Sequence, residues 1–487
     1  MKKKQFIFFA CCIAFILLNC VAILKEFLIF PWISLVVVIV YLMFYRLDWL
    51  MYILAFLTPL SVPMGEFTRM DVDLSLPAEI IMAAITLLFI FRLLYDLPVK
   101  RKLFTHPISI GIYIYLAWIL ITSISSELPI VSVKFLISKI WFIVPCFFVI
   151  LQFFSKNTRK IITFFNCYAV GLAIVVLYTT FRHATFGFSM FSSHWVMSPF
   201  YNDHTAYGAV LAFFLPISAG FIFLPGNNKT QRLFYIILSV IIATGLYFSF
   251  SRAAWLSMIG AIGVLVLLKL RIKLSWVVLG SVILGAAFFL FADDILYKMG
   301  RNTQDSSGNL KEQIQSISNI TTDASNVERL NRWVAAQGMI KERPIVGWGP
   351  GTYQFVYAPF QKGKYKTIIS TNFGDGGNAH SEYIGPFAET GIIGLLTVLA
   401  LVFMALFYGI KTYIQSKDKF SRLLCLCMLL ALITYFIHGV LNNFLDTDKL
   451  SLPYWAAFAT ITILSVKSKE DQNGIPDPQE NELNELP

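Results

Sequence analysis

The chain has 487 residues, of which 57% are hydrophobic and only 14% charged, and it carries a formal net charge of +11. A soluble globular domain is about 45–50% apolar and about 25% charged, so this composition excludes a chain whose main solvent is water. The excess of cations does not point to nucleic acid, and no nucleic-acid partner is expected: the Lys and Arg residues fall in short clusters between apolar runs, as orientation signals do.

Crossing the hydrocarbon layer takes roughly 20 apolar residues in a helix. That window predicts an all-α, polytopic integral membrane protein with about fourteen transmembrane helices, near 5–24, 27–45, 48–64, 77–95, 107–126, 134–154, 160–181, 203–224, 232–250, 253–269, 274–292, 383–410, 421–440 and 450–466. Lys2 to Lys4 precede the first run with the charge order of a signal peptide. Its apolar part is too long and no A-x-A-like site follows, so it reads as a retained span. Pro59 and Pro63 interrupt the third run. The seven cysteines, Cys11, Cys12, Cys20, Cys146, Cys167, Cys425 and Cys427, all lie within apolar runs and read as small packing residues rather than a disulfide framework or metal knuckle.

Short cytoplasmic loops carry an excess of Lys and Arg. With the N-terminus inside, every even-numbered span should end at a basic loop. The sequence places Arg92 with Lys100, Arg101 and Lys102 there, then Lys156, Arg159 and Lys160, then Lys229 and Arg232, then Lys269, Arg271 and Lys273, then Lys411, Lys417, Lys419 and Arg422, and finally Lys467 and Lys469. The opposite face is poorer in cations and holds Asp71 and Asp73. Both termini are therefore expected in the cytoplasm. The expected organisation is eleven spans over 1–292, one large exported loop over 293–382, three more spans over 383–466, and a charged, disordered tail over 467–487. Within the loop, Val327, Leu330, Val334, Met339 and Ile340 recur at roughly helical spacing before Pro344, and Gly347-Trp348-Gly349-Pro350-Gly351 reads as turns.

Three positions on the outer face could carry chemistry. Arg252 opens a span directly after another one ends; its plainer reading is an interfacial anchor. Arg329 lies nearly one helical turn from Arg332, and the pair has a plainer reading as a solvated face. His380 sits where the chain re-enters the membrane, and a lone histidine is commonly structural. Taken together they suggest more. Arginine matches phosphate oxygens bidentately and keeps its charge, so two arginines could hold a diphosphate and neutralise it as a leaving group. A neutral histidine could take the proton from an acceptor hydroxyl. This combination suggests glycosyl transfer from a lipid diphosphate. No carboxylate-rich loop stands out for a metal, although Asp293, Asp294 and Asp375 are also expected outside.

The run Ser251-Arg252 opening a span, Arg329 with Trp333 four residues on, the pattern Pro344-x-x-Gly347-x-Gly349-x-Gly351, and His380 followed by Glu389-x-Gly391-x-x-Gly394 resembles the O-antigen ligase and O-antigen polymerase family over about residues 200–400. The resemblance implies a GT-C-like protein of the bacterial inner membrane whose large loop is periplasmic. It implies a metal-independent glycosyltransferase without a cofactor, with membrane lipids around it and an undecaprenyl-diphosphate-linked glycan as donor. Lipid A core is the acceptor for a ligase, another glycan repeat for a polymerase, and a protein hydroxyl for a protein O-oligosaccharyltransferase; the motif set leans to the ligase. By the same resemblance Arg252 and Arg329 are diphosphate ligands, with Arg332 competing for the second role, and His380 is the base. Trp333, Gly349 and Glu389 are candidate substrate-binding residues, as are Asn202 and His204 in Tyr201-Asn202-Asp203-His204, which is similar to the polar entry to a span. Trp348 and Tyr353 could stack on a sugar, while Gly391 and Gly394 also read as close-packing small residues between helices. Glu382 and Pro386 depart from the family's plainer apolar continuation after the histidine. A transporter or flippase of lipid-linked glycan is the reading from another class; it would place its ionisable residues near mid-membrane on broken helices.

Overall fold

The computed structural model describes residues 39–64, 74–95, 99–270, 324–362 and 377–472. The chain divides into a small unit ending at Leu54 and a main unit from Ala55 onward. The small unit contains helical residues 39–45 and the start of helix α1, Leu47–Leu57. In the main unit, α1 gives way to a 3₁₀ turn at Thr58–Leu60 with Pro59 near its start. The chain then extends into β1, Val62–Pro63, which pairs antiparallel with β2, Ser75–Leu76. Proline cannot donate the next helical hydrogen bond, which is why the span expected at 48–64 is cut short.

Ten helices of the described chain are long and apolar enough to cross a membrane, which makes this a multi-pass membrane protein. They are α2 (Ala78–Tyr95), α3 (Pro107–Ile124), α4 (Pro129–Phe154), α5 (Arg159–Thr185), α6 (His204–Phe221), α7 (Lys229–Phe248), α8 (Arg252–Lys269), α10 (Ile384–Gln415), α11 (Lys419–His438) and α12 (Asp448–Gln472). Each coincides with an expected span. Of the other four expected spans, 5–24 and 274–292 lie outside the described residues, 27–45 does so for most of its length, and 48–64 is the shortened α1. Helix α9, Ala324–Glu342, lies in the expected loop.

Local chemistry sets the helix ends. Pro107 and Pro129 occupy first-turn positions, where a missing N–H costs nothing. Asp203 caps α6 by accepting from the Thr205 and Ala206 amides at 2.7 and 2.8 Å, and Asn228 and Gln231 form a capping box on α7. Within α4, the π-helical turn Val144–Val149 contains Pro145 and absorbs its missing donor.

The bundle has two chemically different ends. At one, Lys102 pairs with Glu470 at 2.6 Å, and Lys100 and its neighbours meet the end of α4. The basic connections Lys100–Lys102, Lys156–Lys160 and Lys411–Arg422 all lie at this end, by the alternation of the helices. Helix α12 continues through Lys467 and Lys469 to Gln472, so the segment expected to be a disordered tail from 467 begins as helix; Glu470 and Gln472 tie it to Lys102 and Gln415. At the other end, the starts of α4, α6, α8, α10 and α12 meet the end of α11 and the segment around α9. Helices α11 and α12 fill the centre: 94% of the α12 window is buried, against 22% for α8.

Helix α9 departs from its sequence pattern in an informative way. Its buried face is Glu328, Asn331, Arg332, Ala335, Ala336 and Met339, while Leu330, Val334 and Ile340 are only half-buried. The apolar periodicity marked the inward face only in part: Met339 is in the core and Ile340 packs against it, while Leu330 and Val334 are half-buried. The inward face joins small and apolar residues, Ala335, Ala336 and Met339, with polar ones whose partners lie inside, as Arg332 finds Glu328.

Candidate active site

Arg252 is placed by a sharp turn between α7 and α8. Phe250 takes a left-handed backbone conformation, φ 49°, and the Ser249 hydroxyl donates to the Leu246 carbonyl at 2.7 Å. The turn is pressed onto α6 at Gly208, where a Cβ would stand 2.7 Å from that of Ser251. Trp255 closes the corner by donating its indole N–H to the Leu246 carbonyl at 3.0 Å. Arg252, half-buried, thus begins α8 beside the entry to α6.

The two arginines of α9 have different surroundings. Arg332 is buried. Its Nε is 2.7 Å from Glu328 Oε1, one turn back, and its Nη1 donates to the Asn378 carbonyl at 3.2 Å. Its guanidinium carbon lies 5.0 Å from the centre of the Tyr357 ring, and Tyr357 stacks on Tyr353 with centroids 5.1 Å apart. A Cβ at Gly377 would collide with this guanidinium. Arg329 is half-buried and reaches across to the α11–α12 turn, donating Nε to the Leu441 carbonyl at 3.2 Å, with Nη2 at 3.5 Å from Asn442 Oδ1.

His380 precedes α10 with a left-handed backbone, φ 48°, stabilised where its amide donates to Asn378 Oδ1 at 3.0 Å. Non-glycine residues held this way cost about 1–3 kcal/mol and gather at functional sites. Burial, and then the Arg329 and Arg332 guanidiniums, pull the imidazole down from its ordinary 6.5 to about 4, with Glu328 and Asp203 opposing. Arg329 and Arg252 also act electrostatically on His204, and Arg329 acts on His438. Arg329 and Arg332 therefore lie within electrostatic reach of His380, and Arg329 and Arg252 within reach of His204. The His204 ring lies edge-on to His194 at 4.3 Å, whereas Asn202, two residues earlier, is exposed. Trp333 is half-buried, and its indole N–H is buried without a partner among the described residues.

Gly349 and Glu389 lie in a separate joint. The loop 344–351 is hooked into a break in α10, where Gly391 leaves helical geometry at φ 71°. The Trp348 and Gly349 amides donate to the Ala388 and Glu389 carbonyls at 3.2 and 2.7 Å, and the Ile392 amide donates to the Pro344 carbonyl at 2.9 Å. A Cβ on Gly391 would stand 1.9 Å from the Ile345 oxygen, and one on Gly347 would stand 2.3 Å from the Glu389 backbone. The Glu389 carboxylate accepts the Tyr353 amide at 3.0 Å. Trp348 lies under the Arg343 guanidinium at 4.2 Å. The glycine motif and the Glu-x-Gly motif are thus the two halves of one backbone interlock.

Several groups at the site escaped the sequence reading. Asp203 and Glu328 face His380, and Asn442 and His438 lie behind Arg329, with Asn442 Nδ2 3.2 Å from His438 Nε2. Glu382, which looked only like a departure from pattern, is buried and accepts the Phe444 and Leu445 amides, each at 2.9 Å, and the Tyr435 hydroxyl. The i, i+4 spacing of Glu328 with Arg332 and of His438 with Asn442 was a readable signal, whereas the partners of Glu382 are remote in sequence.

A multi-pass helical membrane protein with a histidine held among arginines at one end of the bundle is the class that this geometry defines. Residues 237–399, about a third of the chain, match the family described as O-antigen ligase, and that segment is similar to it. The segment includes Arg252, Arg329, Arg332, Trp333, Gly349, His380 and Glu389; Asn202 and His204 precede it. The chain is also similar to an uncharacterized protein of Haemophilus influenzae, 22% identical over 129 residues, which is 26% of this chain and 31% of the relative. The chain thus matches about a third of the length of that relative.

Proposed function

We propose that this protein moves a glycan from undecaprenyl diphosphate to a sugar hydroxyl of lipid A core, on the periplasmic face of the bacterial inner membrane. Arg252 and Arg329 hold the diphosphate, and His380 accepts the proton of the attacking hydroxyl. As the glycosidic bond to the acceptor oxygen forms, the bond from the anomeric carbon to the diphosphate oxygen breaks. Undecaprenyl diphosphate leaves with its charge offset by the arginines. The observation that carries this reading is His380 held in a left-handed backbone conformation, φ 48°, just before α10, within electrostatic reach of the Arg329 and Arg332 guanidiniums. The donor role is assigned to Arg329, which reaches the α11–α12 turn through Leu441 and Asn442, while Arg332 is bound to Glu328, Tyr357 and the Asn378 carbonyl. The positive-inside rule favours a cytoplasmic location for the opposite, basic end.

Deletion followed by a gel of cell-surface glycans tests the reading. A bare core with accumulated lipid-linked polymer supports ligation, and a core carrying one added repeat means polymerisation instead. Unchanged core glycan with an underglycosylated envelope protein means a protein acceptor. Unchanged glycans with a transport defect would sink the transferase reading in favour of a carrier.

A further inference from the structure

A second set of charged groups lies inside the bundle and takes no part in the proposed chemistry. Lys139 is in the middle of the apolar helix α4, with a side chain only 5% exposed. An unpaired cation at such a depth is costly and marks a functional or structural device. Its ammonium donates to Asp446 Oδ1 at 2.7 Å and to the Leu445 carbonyl at 2.9 Å. Glu382 grips the same turn from the opposite side, taking the Phe444 and Leu445 amides at 2.9 Å. Three successive residues, 444–446, are therefore held by two buried charges from α4 and the start of α10. The same turn, three to five residues earlier, presents the Leu441 carbonyl and the Asn442 amide to Arg329. A backbone acceptor orients a guanidinium only as well as the backbone itself is held.

We propose that Lys139 is a positioning residue for Arg329: by fixing the α11–α12 turn through Asp446 and Leu445, it holds the Leu441 and Asn442 acceptors that aim the Arg329 guanidinium at the donor's diphosphate. The inference rests on the reading of Arg329 as a donor ligand. It also gives these buried charges a role other than a transport path, because each is bonded to the turn.

The test is a double-mutant cycle on the full chain in lipid nanodiscs, reading the Kd for undecaprenyl diphosphate itself. Lys139→Gln and Arg329→Lys are each expected to weaken binding roughly tenfold. The double variant is expected to be weaker than Arg329→Lys alone by no more than about threefold, the signature of coupled residues. Lys139→Arg, which keeps the charge, should recover most of the affinity, which a loss of helix packing would not allow. If Lys139→Gln fails to insert, Asp446→Asn removes the same brace from the turn side and should give the same coupling. Multiplicative losses in the double variant, or full affinity in both Lys139→Gln and Asp446→Asn, overturn the inference while leaving Arg329 as a ligand. Full affinity in Arg329→Lys and Arg329→Ala overturns the donor reading and this inference with it.

Discussion

Two glycine-bearing stretches flank the site, and they are built in opposite ways. In 344–351, Gly347, Gly349 and Gly351 all have positive φ, with the Glu389 backbone against Gly347 and the Ser126 and Phe135 side chains against Gly349 and Gly351, and the loop is bonded amide to carbonyl into the break of α10. In 377–382 the left-handed position is held by a histidine, at φ 48°, and the one closely approached glycine, Gly377, makes room for the Arg332 guanidinium. The first stretch is a joint whose polar groups satisfy one another. The second spends conformational energy to hold a titratable ring among cations. A dense glycine motif therefore marks the scaffold of this site, and a disfavoured backbone on a polar residue marks its chemistry.

That contrast can be broken most directly at His380. His380→Ala is expected to lower transfer about 10²–10⁴-fold, with donor binding and the thermal unfolding midpoint of the purified protein close to those of the parent; a large drop in the midpoint would make this stretch another joint. Arg329→Ala should cost about 10²–10³-fold in transfer, with Arg329→Lys recovering part of it because the ammonium lacks the bidentate fork. In Arg332→Lys the loss should be chiefly of stability, seen as a lower unfolding midpoint, since Glu328 and Tyr357 would keep a poorer partner. The joint should behave in the reverse way. Gly391→Ala sets a methyl against the Ile345 carbonyl and is expected to destabilise by about 1–3 kcal/mol, with the activity per folded molecule little changed in the same transfer assay.

The smallest effect is on pH dependence. The His380 imidazole is pulled down to about 4, so it is neutral and competent above that value, and kcat/KM should fall only as the pH drops through it. A bound diphosphate offsets the arginines that depress the imidazole, so the acidic limb of kcat is expected at higher pH than that of kcat/KM. Coincident limbs would separate His380 from the diphosphate.

Much of this was legible in the chain. Every helix that qualifies as a span was marked by an apolar run of the right length, since a bilayer imposes that length whatever the neighbours are. The alternation of basic connections assigned Arg252, Arg329 and His380 to one end before any packing was known. Lys139, a cation within an apolar run, was a readable signal of a buried charged partner. The inward face of α9 was readable from hydrophobicity only at Met339 and Ile340, because Glu328, Asn331 and Arg332 are buried through polar partners that the apolar pattern does not mark.

Sequence alone determined where the ten spanning helices of the described residues lie, because a bilayer sets the length of an apolar run. Tertiary structure decided that Arg332 is paired with Glu328 while Arg329 reaches across to the α11–α12 turn. It also made Gly349 and Glu389 parts of one joint, and brought Lys139, Glu382 and Asp446 to the turn behind Arg329. These choices depend on hydrogen bonds between groups that may be hundreds of residues apart, such as Lys139 and Asp446, and a linear pattern carries no information about which remote backbone will lie at the end of a side chain.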